Sequence, residues 1–351
     1  MKKILIHFNS PDLWHNVLFN TMDINRMNEA WIRLKEKLSD IGYNLQTSDA
    51  NELSDCAYVI FLDSTSVNQK NTIKDKIKLA LKKNQIKKRG LYKECLKNGM
   101  KDKIALIIWE SRSIDPGNYD PKLHDKFPVI LTWDDDLVDN KKFFKFYHPT
   151  PHRQSIARLV PFSEKKMLVL INANKSSKIA HDLYSERRNA AKFFEKIIPD
   201  QFDLYGPKWN KPVNRIQKIF PFLVKKFSSF RGIASDKITT LSKYKFSVCY
   251  ENLAGENGYI SEKIFDCFYA QTVPIYWGAE NVGDYIDANA FIDRRRFKNN
   301  SELLDYINNI DEVKYNGYLD AINRFLKSEK YQLFLPENYA DSIINAIKHK
   351  L

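Results

Sequence analysis

The stretch Lys243–Gly278, KYKFSVCYENLAGENGYISEKIFDCFYAQTVPIYWG, carries the plan of the chain's second half. Phe246–Tyr250 is a short apolar run, the pattern of a buried strand. It ends in Tyr250-Glu251-Asn252, and a glycine-containing loop leads to Ser261, a residue type favoured at helix N-caps. A helix over Glu262–Ala270 and a strand over Val273–Tyr276, closing at Trp277-Gly278, complete the unit. The helix start offers backbone N–H groups and the positive end of the helix dipole, which suit a phosphate. Lys263 in the first turn adds a cation, and Glu262 can accept hydrogen bonds from ribose or sugar hydroxyls. The same residues also fit an ordinary strand–loop–helix–strand unit with a surface Glu-Lys pair.

Outward from this stretch the same alternation recurs. Strands are expected at Lys3–Phe8, Ala57–Leu62, Lys103–Trp109, Pro128–Trp133, Met167–Asn172 and Phe202–Tyr205. Helical periodicity appears near Asn25–Leu38, Thr72–Lys88, Tyr184–Lys196, Glu302–Ile307, Tyr318–Leu326 and Ala340–Lys348. Tyr147–Lys166 holds Pro149, Pro151 and Pro161 without periodicity and reads as a linker. Two α/β halves with parallel sheets follow, with a ligand cleft expected between them.

The 351 residues are 43% hydrophobic and 28% charged, with 11 Gly and 13 Pro, which excludes disordered and fibrous classes. Cys56, Cys95, Cys249 and Cys267 form no C-x-x-C pair, which argues against a zinc site or a disulfide framework. Apolar runs are too short to span a bilayer, and MKKILIHFNS reads as a first strand and not as a signal peptide. A cytoplasmic protein is expected.

The net charge of +13 is concentrated. Lys70–Lys103 has thirteen basic residues against three acids, and Lys208–Arg231 has seven against none. Three readings compete for the first stretch: a solvated face, contact with anionic lipid at the inner face of the cytoplasmic membrane, or nucleic-acid binding. No helix-turn-helix, zinc finger or RNP pattern accompanies the charge, so no nucleic-acid partner is expected.

Tyr250-Glu251-Asn252, Tyr259-Ile260-Ser261-Glu262-Lys263 and Val273-Pro274-Ile275-Tyr276-Trp277-Gly278, in that order, resemble the signature of glycosyltransferase family 10, the α-1,3/4-fucosyltransferases, in wording closest to its bacterial members. Phe202-Asp203-Leu204-Tyr205-Gly206 is similar to the family's Val-Asp-Val-Tyr-Gly strand, and Asn289-Ala290-Phe291-Ile292 with Phe297 to a downstream element. Arg294-Arg295-Arg296 departs from the milder stretch usual there. The family's pyrophosphate-contacting arginine aligns best with Arg188, with Arg187 the adjacent rival. Ile108-Trp109-Glu110-Ser111 resembles a strand ending in Glu-Ser-Pro whose glutamate is the proposed base; Arg112 replaces the proline.

The resemblance implies a GT-B-like α/β fold of two facing Rossmann-like domains with the active site in the interdomain cleft. It implies an acceptor domain over 1–155, a GDP-sugar domain over 156–325 and a helical tail over 326–351. It further implies inverting transfer of L-fucose from GDP-β-L-fucose, with Glu110 as catalytic base. Arg188, Lys263 and the Ser261 helix end would stabilise the leaving pyrophosphate, Asn252, Tyr259 and Glu262 would position fucose and ribose, and Gly206 belongs to the donor site. The implied acceptor is a GlcNAc or Glc residue, joined through α-1,3, in a surface glycan such as lipopolysaccharide O-antigen, free or lipid-linked. The alternatives are another GDP-sugar, or a non-catalytic glycan- or nucleotide-binding protein. No cofactor or essential metal is expected: Asp134-Asp135-Asp136 mimics a metal-binding Asp-x-Asp but reads as a loop or helix cap.

Overall fold

The computed structural model describes residues 1–20, 28–67, 90–153, 160–212 and 215–351. The chain divides into two compact units, Met1–Pro151 with Phe334–Leu351, and His152–Leu333. Their boundary lies inside the proline-bearing stretch read as a linker.

The first unit holds a six-stranded sheet of β1 (Lys2–His7), β2 (Tyr43–Thr47), β3 (Cys56–Leu62), β4 (Ile104–Ile108), β5 (Val129–Thr132) and β6 (Phe143–Lys145), in the order β2-β1-β3-β4-β5-β6. Every pairing is parallel. Strands covered on both faces read as unbroken apolar runs, and all five residues of β4 are buried. Helix Glu29–Asp40 buries Ala30, Trp31, Leu34 and Leu38, the i, i+3/i+4 stripe of a helix lying on a sheet. The C-terminal helix Pro336–Ile347 packs beside it, with Arg33–Glu337 and Lys37–Asp341 ion pairs along the seam. The stretch expected as a tail over 326–351 is helical in part, and from Phe334 onward it joins the first unit.

The second unit holds β7 (Lys166–Ile171), β8 (Phe202–Tyr205), β9 (Tyr244–Tyr250), β10 (Val273–Trp277) and β11 (Ile292–Asp293), all parallel, in the order β11-β10-β9-β7-β8. Helices Tyr184–Ile197 and Glu262–Tyr269 connect strands of this sheet. Gly206, just past β8, has φ +121°, and a Cβ there would fall 2.2 Å from the Asn172 carbonyl oxygen. That position therefore requires glycine for backbone approach at the β7 and β8 ends.

Three strands escaped the sequence reading: β2, which is half polar, and the three- and two-residue edge strands β6 and β11. The expected helix Thr72–Lys88 lies outside the described residues, as does the start of Asn25–Leu38. Leu106, fully buried in β4, packs among Leu5, Val59, Phe61 and Phe127. Leu106→Ala is expected to cost about 2–5 kcal/mol in denaturant unfolding, and a loss below ~1 kcal/mol contradicts this packing.

Candidate functional site

In the second unit, several of the candidate side chains gather where β9 and β10 end. Glu251 follows β9 directly, is completely buried, and donates its backbone N–H to the Trp277 carbonyl at 2.7 Å. Its carboxylate accepts the Ser261 N–H at 2.9 Å and lies 2.8 and 2.9 Å from Ser261 Oγ. Lys263 Nζ donates to Glu251 Oε2 at 2.9 Å and to Ser261 Oγ at 2.8 Å. Burial alone would depress the Lys263 ammonium, but the Glu251 and Glu262 carboxylates hold it above its ordinary value. Ser261 occupies the N-cap position of helix Glu262–Tyr269, yet its hydroxyl serves Glu251 and makes no cap bond. The first-turn amides thus receive no hydrogen bond from the Ser261 side chain.

Glycine at 278 is required by the same carboxylate: a Cβ there would lie 2.5 Å from both Glu251 Cγ and Tyr276 Oη. Behind the cluster, Arg187 is buried and donates through Nη2 to the Tyr250 carbonyl at 2.6 Å and to Asn252 Oδ1 at 3.1 Å. Asn252 Nδ2 in turn donates to Tyr259 Oη at 3.2 Å. Arg188, on the same helix but half-buried, donates through Nη1 to the Lys175 carbonyl. The rival arginines therefore have different work: Arg187 braces the loop after β9, and Arg188 lies nearer solvent. Glu262 keeps about a third of its side chain exposed.

The three consecutive arginines also separate. Arg294 is buried, donates to the Phe297 carbonyl at 2.6 Å and lies over the Trp277 ring. Arg295 pairs with Asp293 and Glu280, while Arg296 borders a cavity of about 610 Å³ with Tyr306, Tyr318, Lys314 and Arg324.

Glu110 belongs to the first unit, just past β4. Its backbone N–H and that of Trp109 both donate to Asp63 Oδ1, at 2.9 and 2.8 Å, and Asn118 Nδ2 joins them at 2.7 Å. Arg112, which replaces the family proline, stacks over Tyr119 at 3.8 Å and reaches Asp134 at 3.5 Å. Asp134 also accepts the Asp136 N–H at 3.0 Å, and Asp135 pairs with Lys145, so these acids are engaged in turn and ion-pair contacts. Among the described residues no group of three or more His, Cys, Asp or Glu is placed to hold a metal ion.

Sequence reasoning assigned no role to Glu251, Gly278 or Asp63. For Glu251 one signal was present: a carboxylate directly after an unbroken apolar strand must be paired when buried. Asp63 is buried, which pushes its carboxyl up to about 7; donors from Glu110, Asn118 and Trp109 oppose this, and the Glu110 charge adds to it. Between about pH 4 and 7 only the folded state holds this proton, so its stabilisation, complete at lower pH, fades as pH rises, by up to ~1.4 kcal/mol per pH unit. Unfolding free energies from pH 4.5 to 7.5 are expected to fall less steeply for Asp63→Asn than for the parent; identical slopes contradict the assignment.

Residues 174–334 match the model "Glycosyltransferase family 10 (fucosyltransferase) C-term". An alpha-(1,3)-fucosyltransferase of Helicobacter pylori is 43% identical over 82 residues, 23% of this chain and 17% of that protein. An alpha-(1,4)-fucosyltransferase of Arabidopsis thaliana is 39% identical over 80 residues, 22% of this chain and 20% of that one. The chain thus spans a fifth or less of the length of these curated relatives. A crystal structure of an alpha1,3-fucosyltransferase superposes with TM-score 0.55 at 15% identity, over 99% of this chain and 90% of that one. The same enzyme class with GDP-fucose superposes with TM-score 0.52 at 15% identity, over 99% and 90%. At such identity the likeness speaks for the fold, which is GT-B. The family model's match spans most of the second unit, and the second unit's sequence is similar to the C-terminal domain of glycosyltransferase family 10 (fucosyltransferase).

Proposed function

We propose that the chain transfers L-fucose from GDP-β-L-fucose to a hydroxyl of a GlcNAc or Glc residue, with inversion and α-1,3 linkage, in a surface glycan assembled at the inner face of the cytoplasmic membrane. The observation that carries this reading is the locked Lys263. Two of its ammonium protons go to Glu251 and Ser261, and the Glu262 carboxylate lies 3.7 Å away, so a fixed cation stands at the start of helix Glu262–Tyr269. Preset donors of this kind act where charge develops without reorganising during reaction.

On this reading the acceptor oxygen attacks the anomeric carbon while its proton passes to the Glu110 carboxylate. The bond from that carbon to the GDP oxygen breaks, and the electron pair leaves with GDP. Lys263, Arg188 and the helix amides stabilise the pyrophosphate charge. Asn252 and Tyr259, braced by Arg187, shape the pocket, Glu262 holds ribose or sugar hydroxyls, and Gly206 lets the β8 end approach Asn172 closely. Glu110 itself is held through its backbone by Asp63.

Thermal unfolding with GDP, GDP-fucose, GDP-mannose, UDP and UDP-galactose tests the donor. A ligand at 100 times its Kd stabilises by about 2.7 kcal/mol, and the response is expected for GDP and GDP-fucose alone. A preference for UDP ligands overturns the donor assignment. Lys263→Ala and Arg188→Ala are each expected to lower kcat/KM by about 10²-fold or more, the scale of losing one charge-stabilising group. For Glu110→Gln, GDP-fucose binding persists and transfer to N-acetyllactosamine is lost; full transfer removes Glu110 as the base.

A further inference from the structure

The segment Lys208–Arg231 follows β8 and returns to the sheet, and residues 213–214 of it lie outside the described ones. Its base is pinned on both sides. Trp209 is buried, donates to the Asn172 carbonyl at 2.7 Å and packs edge-on against Phe227. Ser229 donates through N–H and Oγ to Glu195 at 3.1 and 2.8 Å, and Arg231 Nε meets Asp203 at 2.7 Å. Between these anchors the tip folds into two short turns, Arg215–Ile219 and Pro221–Leu223, closed by Phe220 N–H to Ile216 and Leu223 N–H to Phe220 carbonyls.

Those turns aim apolar side chains at solvent. Ile216 is 62% exposed, Ile219 61%, Phe220 46%, Phe222 80% and Leu223 49%. Five large hydrophobic groups lie exposed within eight residues, the Phe220 and Phe222 rings 5.8 Å apart, the kind of apolar surface kept for a partner. The segment as a whole carries seven exposed cations and no acid, with Arg215, Lys218, Lys225 and Lys226 next to these side chains in sequence. Lys225 and Arg231 have carboxylate partners; Lys208, Lys211, Arg215, Lys218 and Lys226 have none among the described residues. A protein partner would have to match that charge with acids around an apolar centre. A bilayer carrying anionic lipid offers both: headgroup phosphates for the cations and the acyl boundary for the apolar tip.

We infer that the Arg215–Lys226 tip docks the second unit on an anionic lipid surface, with Ile219, Phe220 and Phe222 entering the headgroup boundary. This differs from the basic stretch Lys70–Lys103, most of which lies outside the described residues, and it does not depend on the donor assignment.

Flotation of the full chain with phosphatidylcholine vesicles, with and without about 30 mol% phosphatidylglycerol, tests it. Binding is expected on the anionic vesicles, falling at least about tenfold in 0.5 M salt and weak on phosphatidylcholine alone. Ile219→Glu with Phe222→Glu is expected to lower the partition coefficient at least about tenfold while leaving Tm unchanged, because both side chains face solvent. Lys218→Glu with Lys226→Glu should lose the phosphatidylglycerol preference, whereas Lys93→Glu with Lys97→Glu should retain it. Absence of binding to anionic vesicles at low salt overturns the inference. So does an Ile219→Glu, Phe222→Glu double variant that still floats like the parent, or a concentration-dependent dimer in sedimentation that this pair of substitutions abolishes.

Discussion

The second unit's site depends on one completely buried carboxylate. Glu251 stands where β9 ends, and taking its charge out of water is tolerable only because a hydroxyl, an amide and an ammonium surround it. Satisfying Glu251 fixes the loop after β9, the entry of helix Glu262–Tyr269 and the place of Lys263 in one arrangement. It also dictates glycine at 278, since the Glu251 side chain fills the space a Cβ would need. Removing Glu251 or Lys263 alone would leave the other's buried charge uncompensated, a heavier cost than the loss of one contact.

Charge elsewhere shows the same division between groups spent on structure and groups left for ligands. Arg187 braces the loop and Arg188 does not; Arg294 is packed, Arg295 is paired, and Arg296 borders a cavity. Asp63 holds two consecutive amides of the segment that presents Glu110, at the expense of a carboxyl that resists ionisation. Among the described residues, exposed cations such as Lys218 and Lys226 stand outside such networks, near the exposed apolar side chains Ile219 and Phe222 in sequence.

Much of this was legible in the sequence. Strands β1, β3, β4, β5, β7, β8, β9 and β10 are short runs of β-branched and aromatic residues, so their positions follow from composition to within two residues. Helices Tyr184–Ile197 and Glu262–Tyr269 declare themselves by their 3.6-residue stripes, whereas short ones such as Leu91–Lys97 and Lys237–Leu241 were not expected, because one or two turns carry too little periodicity. The half-polar β2 and the short edge strands β6 and β11 did not, because so few residues carry too little periodicity, and their pairing is supplied by neighbours distant in sequence.

The sequence by itself determined the alternation of strands and helices, and hence two parallel-sheet α/β units, because hydrophobic period and loop chemistry are local properties. It also placed Glu262 and Lys263 at a helix start. Which arginine is structural, which oxygen Ser261 serves, why residue 278 has no side chain and what holds Glu110's backbone were decided only in the tertiary structure. Each depends on partners 10 to 65 positions away, and a buried polar group's role is set by the donors that folding brings within hydrogen-bonding distance.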